Sequence, residues 1–167
     1  RHLLALVNDV LDMGRIETKQ EKGMMEAFDL EHLMTETSSL VEAQLEETGI
    51  RHYRHREEIR HTALIGNPLH LRQIMVNLLS NAIKYNKEDG WVHVSLNADY
   101  QYFYLKVEDS GIGIPEDSLE HIYERFYRVD KSHSREIGGT GLGLAITRNA
   151  ILMHRGAIKV FSTEGEG

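Results

Sequence analysis

Cysteine is absent from the chain, which removes disulfide bonds, thiolate nucleophiles and cysteine-based zinc sites together. No apolar run approaches the roughly 20 residues that a membrane-crossing helix needs, and the opening Arg1-His2-Leu3 lacks the pattern of a secretory signal. The segment therefore reads as water-soluble. An excess of positive charge is missing too: the formal charge is −7, which argues against a broad phosphate-neutralising surface and against nucleic acid as a partner. A single nucleotide stays open, because a few local cations, backbone amides and a metal can hold one inside an acidic protein. With 167 residues, 41% of them apolar, the chain has material for one buried core and a short appendage. Both ends read as cut from something longer, since residue 1 falls inside a helical pattern and Ser162 to Gly167 form a turn-like segment leading nowhere.

Leu3, Leu4, Val7, Val10 and Leu11 recur at helical spacing, which predicts an amphipathic helix over residues 1 to about 17 that seeks a partner helix. The polar stretch Glu17 to Gly23 reads as a linker. Beyond it the pattern predicts a short strand over Met24 to Phe28 and a helix from its cap Asp29 to about Glu47, stopped by Gly49. Leu30, Leu33, Met34, Leu40, Val41 and Leu45 are expected on or near its buried side. Residues 50 to 65 suggest one or two strands. Asn67-Pro68 opens a helix to Tyr85, with Asn67 capping and Pro68 in the first turn, where its missing N–H is not needed. Alternation and aromatic content predict antiparallel strands over Trp91 to Leu96 and Tyr102 to Val107. Helical segments are expected at about Pro115 to Ile122 and Leu142 to His154, then a strand over Ala157 to Ser162. Strands that pair locally between helices give an α+β class.

Three clusters carry chemistry. At about 100° per residue, Asn77, Asn81 and Lys84 fall in one stripe of their helix while Met75, Leu79 and Ala82 fall opposite. Two amides and an ammonium on one face suit a hydrated magnesium ion and phosphate oxygens, although the same stripe also fits a solvated helix face. Next, Val107-Glu108-Asp109-Ser110-Gly111-Ile112-Gly113-Ile114-Pro115 ends a strand in a carboxylate and two alternating glycines, which let a ligand approach the backbone. Asp109 can there accept a hydrogen bond from a purine amino group; an ordinary strand-to-helix turn explains the motif about as well. The third, Gly138-Gly139-Thr140-Gly141-Leu142-Gly143-Leu144, is the most specific. It joins glycines to a helix N-terminus, where free N–H groups and the positive dipole end attract phosphate. It matches neither the dinucleotide fingerprint nor the P-loop. Between the second and third lies Glu124-Arg125-Phe126-Tyr127-Arg128 with the polar stretch Val129 to Ile137. This reads as a segment able to close over a nucleotide, with Arg128 reaching a terminal phosphate, or as a surface loop plugged by Phe126.

Taken in order, Asn77 to Tyr85, Asp109 to Ile114, Glu124 to Arg128 and Gly139 to Leu144 resemble the four nucleotide boxes of sensor histidine kinases. Leu6 to Glu17 resembles the end of the second helix of their dimerisation domain. The resemblance implies residues 1–20 as the end of that helix with its linker, and residues 24–167 as an ATP-binding catalytic domain. It implies a two-layer α/β sandwich of Bergerat type, a mixed sheet on about three helices, shared with gyrase-type and heat-shock ATPases and here short of its last strand. By the same resemblance Asn81 binds Mg2+ with Asn77 supporting it, Lys84 touches phosphate and Tyr85 lies against the base. Asp109 takes the adenine amino group, with Gly111, Gly113 and Ile114 lining the pocket, and Arg128 faces the terminal phosphate. Gly139, Thr140, Gly141, Leu142 and Gly143 bring backbone to the phosphates. Three positions depart from the family pattern: Gly14 for a common serine, Asn67 for a common aspartate, and Arg155 for a glycine of a frequent histidine-glycine-glycine turn.

A histidine followed by an acidic residue, the phosphoacceptor of this family, is missing: His2 stands too near the end of its helix, and Glu31-His32 has the reverse order. The acceptor is therefore expected upstream. His52, His55 and His61 crowd a segment with Arg51, Arg54 and Arg56 that reads as a solvated strand before a metal or nucleic-acid site. The expected function is Mg-ATP binding with transfer of the γ-phosphoryl group to an upstream histidine. Expected partners are that dimerisation and phosphoacceptor domain, a response regulator receiver domain and a second copy in the full-length homodimer, on the cytoplasmic side. The competing readings are an ATP hydrolase of the same superfamily and a signalling module without catalysis.

Overall fold

The computed structural model describes residues 25–56, 63–99, 101–129 and 141–167. The expected N-terminal helix, its linker, Gly139, Thr140 and most of the polar stretch after Arg128 lie outside them. Chain order is β1 (Glu26–Asp29), α1 (Leu30–Thr48), β2 (Arg51–Arg56), β3 (Ala63–Gly66), α2 (Pro68–Lys84), β4 (Trp91–Ala98), β5 (Phe103–Asp109), a 3₁₀ turn (Glu116–Ser118) and α3 (Gly143–Met153). β1 and β3 form an antiparallel ribbon, while β2, β4 and β5 form a sheet in that order, with β2 parallel and β5 antiparallel to β4.

Local chemistry sets the helix ends. Asp29 caps α1 by accepting the His32 N–H at 3.0 Å, and Gly49 ends it in the left-handed region at φ 68°. Asn67 caps α2 through the Leu69 and His70 N–H groups, doing with an amide oxygen what the more usual aspartate would do with a carboxylate. On β4, Val92, Val94 and Leu96 alternate inward and are 3% exposed or less. Val92 and Val94 pack with Val41 and Leu45 of α1 and Leu79, Ala82 and Ile83 of α2. A second cluster joins Leu33, Leu71, Ile74 and Met75 to Ala145, Ile146 and Ala150 of α3. Thus α2 belongs to both clusters, and its polar stripe lies outside them.

Three expectations fail. Leu40 is 59% exposed, because the buried face of α1 runs through Thr37, Ser38 and Val41 instead. No continuous helix follows Pro115: Ser118, Leu119, His121, Glu124 and Tyr127 each donate to the residue three before it, since Ile122 and Ser118 alone are buried over Pro115 to Ile122 and give a helix no apolar stripe to cover. Ala157 to Ser162 is unladdered. Among the described residues its backbone bonds to no other backbone, so period-2 patterning here lacks the neighbour that makes a strand.

After α3, the Arg155 N–H bonds to Leu152 O and the Gly156 N–H to Ile151 O, with Arg155 held at φ 56°. This is a Schellman-type stop whose left-handed position carries a Cβ. Arg155→Gly should therefore raise stability by about 1 kcal/mol, the relief of left-handed strain outweighing glycine's extra chain entropy. Chemical denaturation of both chains measures it, and a lower midpoint for the glycine variant would count against the strain.

Candidate nucleotide site

The last two turns of α2 open onto a broad cavity of about 2400 Å³ bounded by β5, the loop after it and the start of α3. Asn77, Asn81, Lys84 and Tyr85 line it from the helix. Asp109, Gly113 and Ile114 line it from the strand end, and Arg128, Gly141 and Gly143 from the far side. Ten of the expected residues thus share one space. Two others do not line it: Leu142 is fully buried in the core, and Gly111 lies beneath the strand end.

Asn77 is oriented by α3. Its Nδ2 donates to Gly143 O at 3.2 Å and lies 3.4 Å from Thr147 Oγ1, which itself donates to Gly143 O. Gly143 O can only accept, so the amide nitrogen must face it and the Asn77 oxygen is left for another partner. The Asn81 side chain has no protein partner among the described residues. Those residues also contain no group of three or more His, Cys, Asp or Glu able to hold a metal. From the described residues a divalent ion here would take amide oxygens, with water and the ligand's own oxygens completing its shell, a donor set that fits magnesium.

Asp109 is half-buried at the end of β5, and its Oδ1 accepts the Gly111 N–H at 2.8 Å. Burial pushes its carboxyl above the ordinary value of 3.8, and the Gly111 hydrogen bond opposes part of that rise. Two glycines are required by close approach. At Gly111 a Cβ would run into Tyr85 O, and at Gly113, φ 69°, into Thr163 O. The terminal turn is therefore a wall of the site and not a loose tail: Gly165 N–H donates to Ile112 O at 2.7 Å, Ile114 N–H to Ser162 Oγ at 2.8 Å, and Lys87 Nζ to Gly165 O. Gly141, φ 74°, has the Phe126 backbone against it and accepts its N–H at 2.9 Å. Phe126 is 57% exposed at φ 62°, so it plugs nothing.

Asn86 and Ser110 went unassigned by sequence reasoning, yet they tie the end of α2 to the Asp109 loop: Ser110 Oγ donates to Asn86 Oδ1 at 3.0 Å. Both are types that bond nearby backbone. Their mutual contact spans 24 residues, and local spacing gives no sign of it.

A family model described as histidine kinase-, DNA gyrase B- and HSP90-like ATPase matches residues 66–167. The circadian input-output histidine kinase CikA of Synechococcus elongatus is 36% identical over 99% of this chain and 22% of its own length. The sensor histidine kinase WalK of Bacillus subtilis is 36% identical over 99% of this chain and 27% of its own. The chain thus spans about a quarter of these relatives. Among solved structures, full-length ShkA in complex with AMPPNP superposes with a TM-score of 0.80 at 30% identity, covering 99% of this chain and 34% of that one.

Proposed function

Since the chain belongs to the histidine kinase-, DNA gyrase B- and HSP90-like ATPase family, as the catalytic ATP-binding domain of a sensor histidine kinase, we propose that it holds Mg-ATP between α2, β5 and α3 and passes the γ-phosphoryl group to a histidine upstream. One observation carries this: the half-buried Asp109 carboxylate opens into the same cavity as Asn77, Asn81 and Lys84. A base-sized acceptor at one end and amides with cations at the other match the polarity of a nucleoside triphosphate.

Asp109 accepts the adenine amino group, and Tyr85 lies against the base. Asn81 and Asn77 offer amide oxygens to magnesium, which when bound neutralises phosphate charge and orients the γ-phosphoryl group. Lys84 and Arg128 add positive charge, and the start of α3 directs N–H groups at phosphate. The acceptor imidazole nitrogen forms a bond to the γ phosphorus while the bond to the bridging oxygen breaks, and ADP leaves with that electron pair. The domain's share is position and charge neutralisation, because the transition state is loose and spreads charge over the phosphate oxygens. Hydrolytic members of the superfamily place a glutamate base where this chain has Asn77, an amide that cannot take a proton from water.

The same reading assigns residues 1–20 to the end of a dimerisation helix and 24–167 to the catalytic domain, with a homodimer and a receiver domain as partners of the parent protein on the cytoplasmic side. No described helix is long and apolar enough to cross a membrane. Calorimetric titration with Mg-ATP should give saturable 1:1 binding without steady hydrolysis, and phosphoryl transfer once the upstream helix pair is supplied. Sustained hydrolysis by the domain alone would favour the hydrolase, and absent binding the non-catalytic module.

A further inference from the structure

We infer that Ser110 and Asn86, with the space left by Gly90, form a bracket that sets base selectivity in this site without touching the base. The inference rests on the reading of Asp109 as acceptor for the adenine amino group.

Ser110 directly follows Asp109. Its Oγ accepts the Trp91 N–H at 2.8 Å and donates to Asn86 Oδ1 at 3.0 Å, while its own N–H donates to Trp91 O at 3.1 Å. Asn86 Nδ2 donates to Ala82 O and Trp91 O, each at 3.0 Å, and Asn86 Oδ1 also accepts the Lys87 N–H at 2.9 Å. Both donors and both lone pairs of that amide are in use. The last turn of α2, the start of β4 and the end of β5 are therefore locked in one network. On the other side, Ile112 N–H donates to Tyr85 O at 2.9 Å. Asp109 directly precedes these two ties, and its Oδ1 is held by the N–H of Gly111, the residue between them. Gly90 makes room for the network: a Cβ there would lie against Asn86 Oδ1 and 2.7 Å from Ser110 Oγ.

The side chains of Ser110 and Asn86 are not among the groups of the α2 stripe and the start of α3 that build the phosphate side, and Ser110→Ala leaves the Asn86 bond to Ala82 O in place. Loosening the bracket shifts the carboxylate relative to the base and leaves the triphosphate hold in place. Hydrogen bonds weaken steeply with such displacement, so the loss falls on the adenine amino group. Inosine triphosphate bears a carbonyl oxygen in place of that amino group and sets an acceptor against the Asp109 acceptor, which makes it the reporter of base selectivity.

The test is affinity for Mg-ATP and Mg-inosine triphosphate in the unaltered chain, Ser110→Ala, Ser110→Thr, Gly90→Ala and Asp109→Asn, with a thermal melt of each. Ser110→Ala and Gly90→Ala should each lower ATP affinity about tenfold and shift inosine triphosphate less than about twofold, whereas Ser110→Thr, which keeps the hydroxyl, should retain the preference. Equal weakening of both nucleotides, as partial unfolding would give, overturns the bracket; if Asp109→Asn still narrows the preference in that case, the base-recognition reading survives alone. A preference that Asp109→Asn leaves untouched overturns that reading and the bracket with it.

Discussion

Asp109→Asn should weaken Mg-ATP binding by about a hundredfold while leaving the empty domain at least as stable as before. A hydrogen bond to a charged acceptor contributes about 1.5–3 kcal/mol, or roughly ten- to a hundredfold in affinity. Asparagine offers a weaker acceptor, and its NH2 set against the adenine amino group opposes donor to donor. Folding responds in the opposite sense. Burial raises the Asp109 pKa above 3.8, so the folded state holds this proton more tightly than the unfolded chain and loses stability as pH rises through that window. At neutral pH the ionised carboxylate is a cost, which asparagine removes while still accepting the Gly111 N–H. Binding needs the ionised form, so ATP affinity should fall on acidification before an ordinary carboxylate would titrate, and Asp109→Asn should flatten that dependence. Titrations from pH 8 downward and melts of both empty proteins measure the two effects. An empty variant that melts well below the parent would show that the carboxylate stabilises the fold and is not strained by burial.

Elements set by local chemistry are legible in the sequence, and those set by distant partners are not. The stretches 30–48, 68–84 and 91–98 have periodic burial and local caps, Asp29 and Asn67, that are decided within one turn of chain. Asn77, Asn81 and Lys84 were legible for the same reason: helical angle alone places them together. The Asp109 loop was legible through its glycines, whose need for space is local in sequence but is set by distant backbone at Tyr85 and Thr163. What stayed hidden depends on long-range partners. The terminal turn looked like a loose end because Ile112, Ile114 and Lys87 hold it from about 50 and 80 residues away. Residues 157–162 have the alternation of a strand, but alternation does not supply the adjacent backbone. Phe126 looked like a plug from its type, yet its left-handed backbone, fastened to Gly141, turns the ring outward.

Asn81→Ala should lower phosphoryl transfer by about a hundredfold or more and abolish the magnesium-dependent part of ATP affinity, with little change in melting temperature. The two asparagines of α2 differ in a way the sequence does not reveal. Asn77 spends its amide nitrogen on Gly143 O and so couples α2 to α3, whereas the Asn81 side chain bonds to nothing described in the protein. Removing Asn77 therefore disturbs the helix pairing as well as the site, and its effect cannot be assigned to one cause. Asn81 is partly buried on the polar stripe and lies outside both apolar clusters, so its truncation leaves no cavity in the core. What it removes is an amide oxygen from an ion that no acidic cluster among the described residues can hold in its place. Titrating ATP with and without magnesium separates the contributions. In the parent the metal should tighten binding, and in Asn81→Ala both curves should converge on the metal-free value. If magnesium still tightens binding to the variant as much as to the parent, the metal is held elsewhere, and the polar stripe of α2 is only a solvated face.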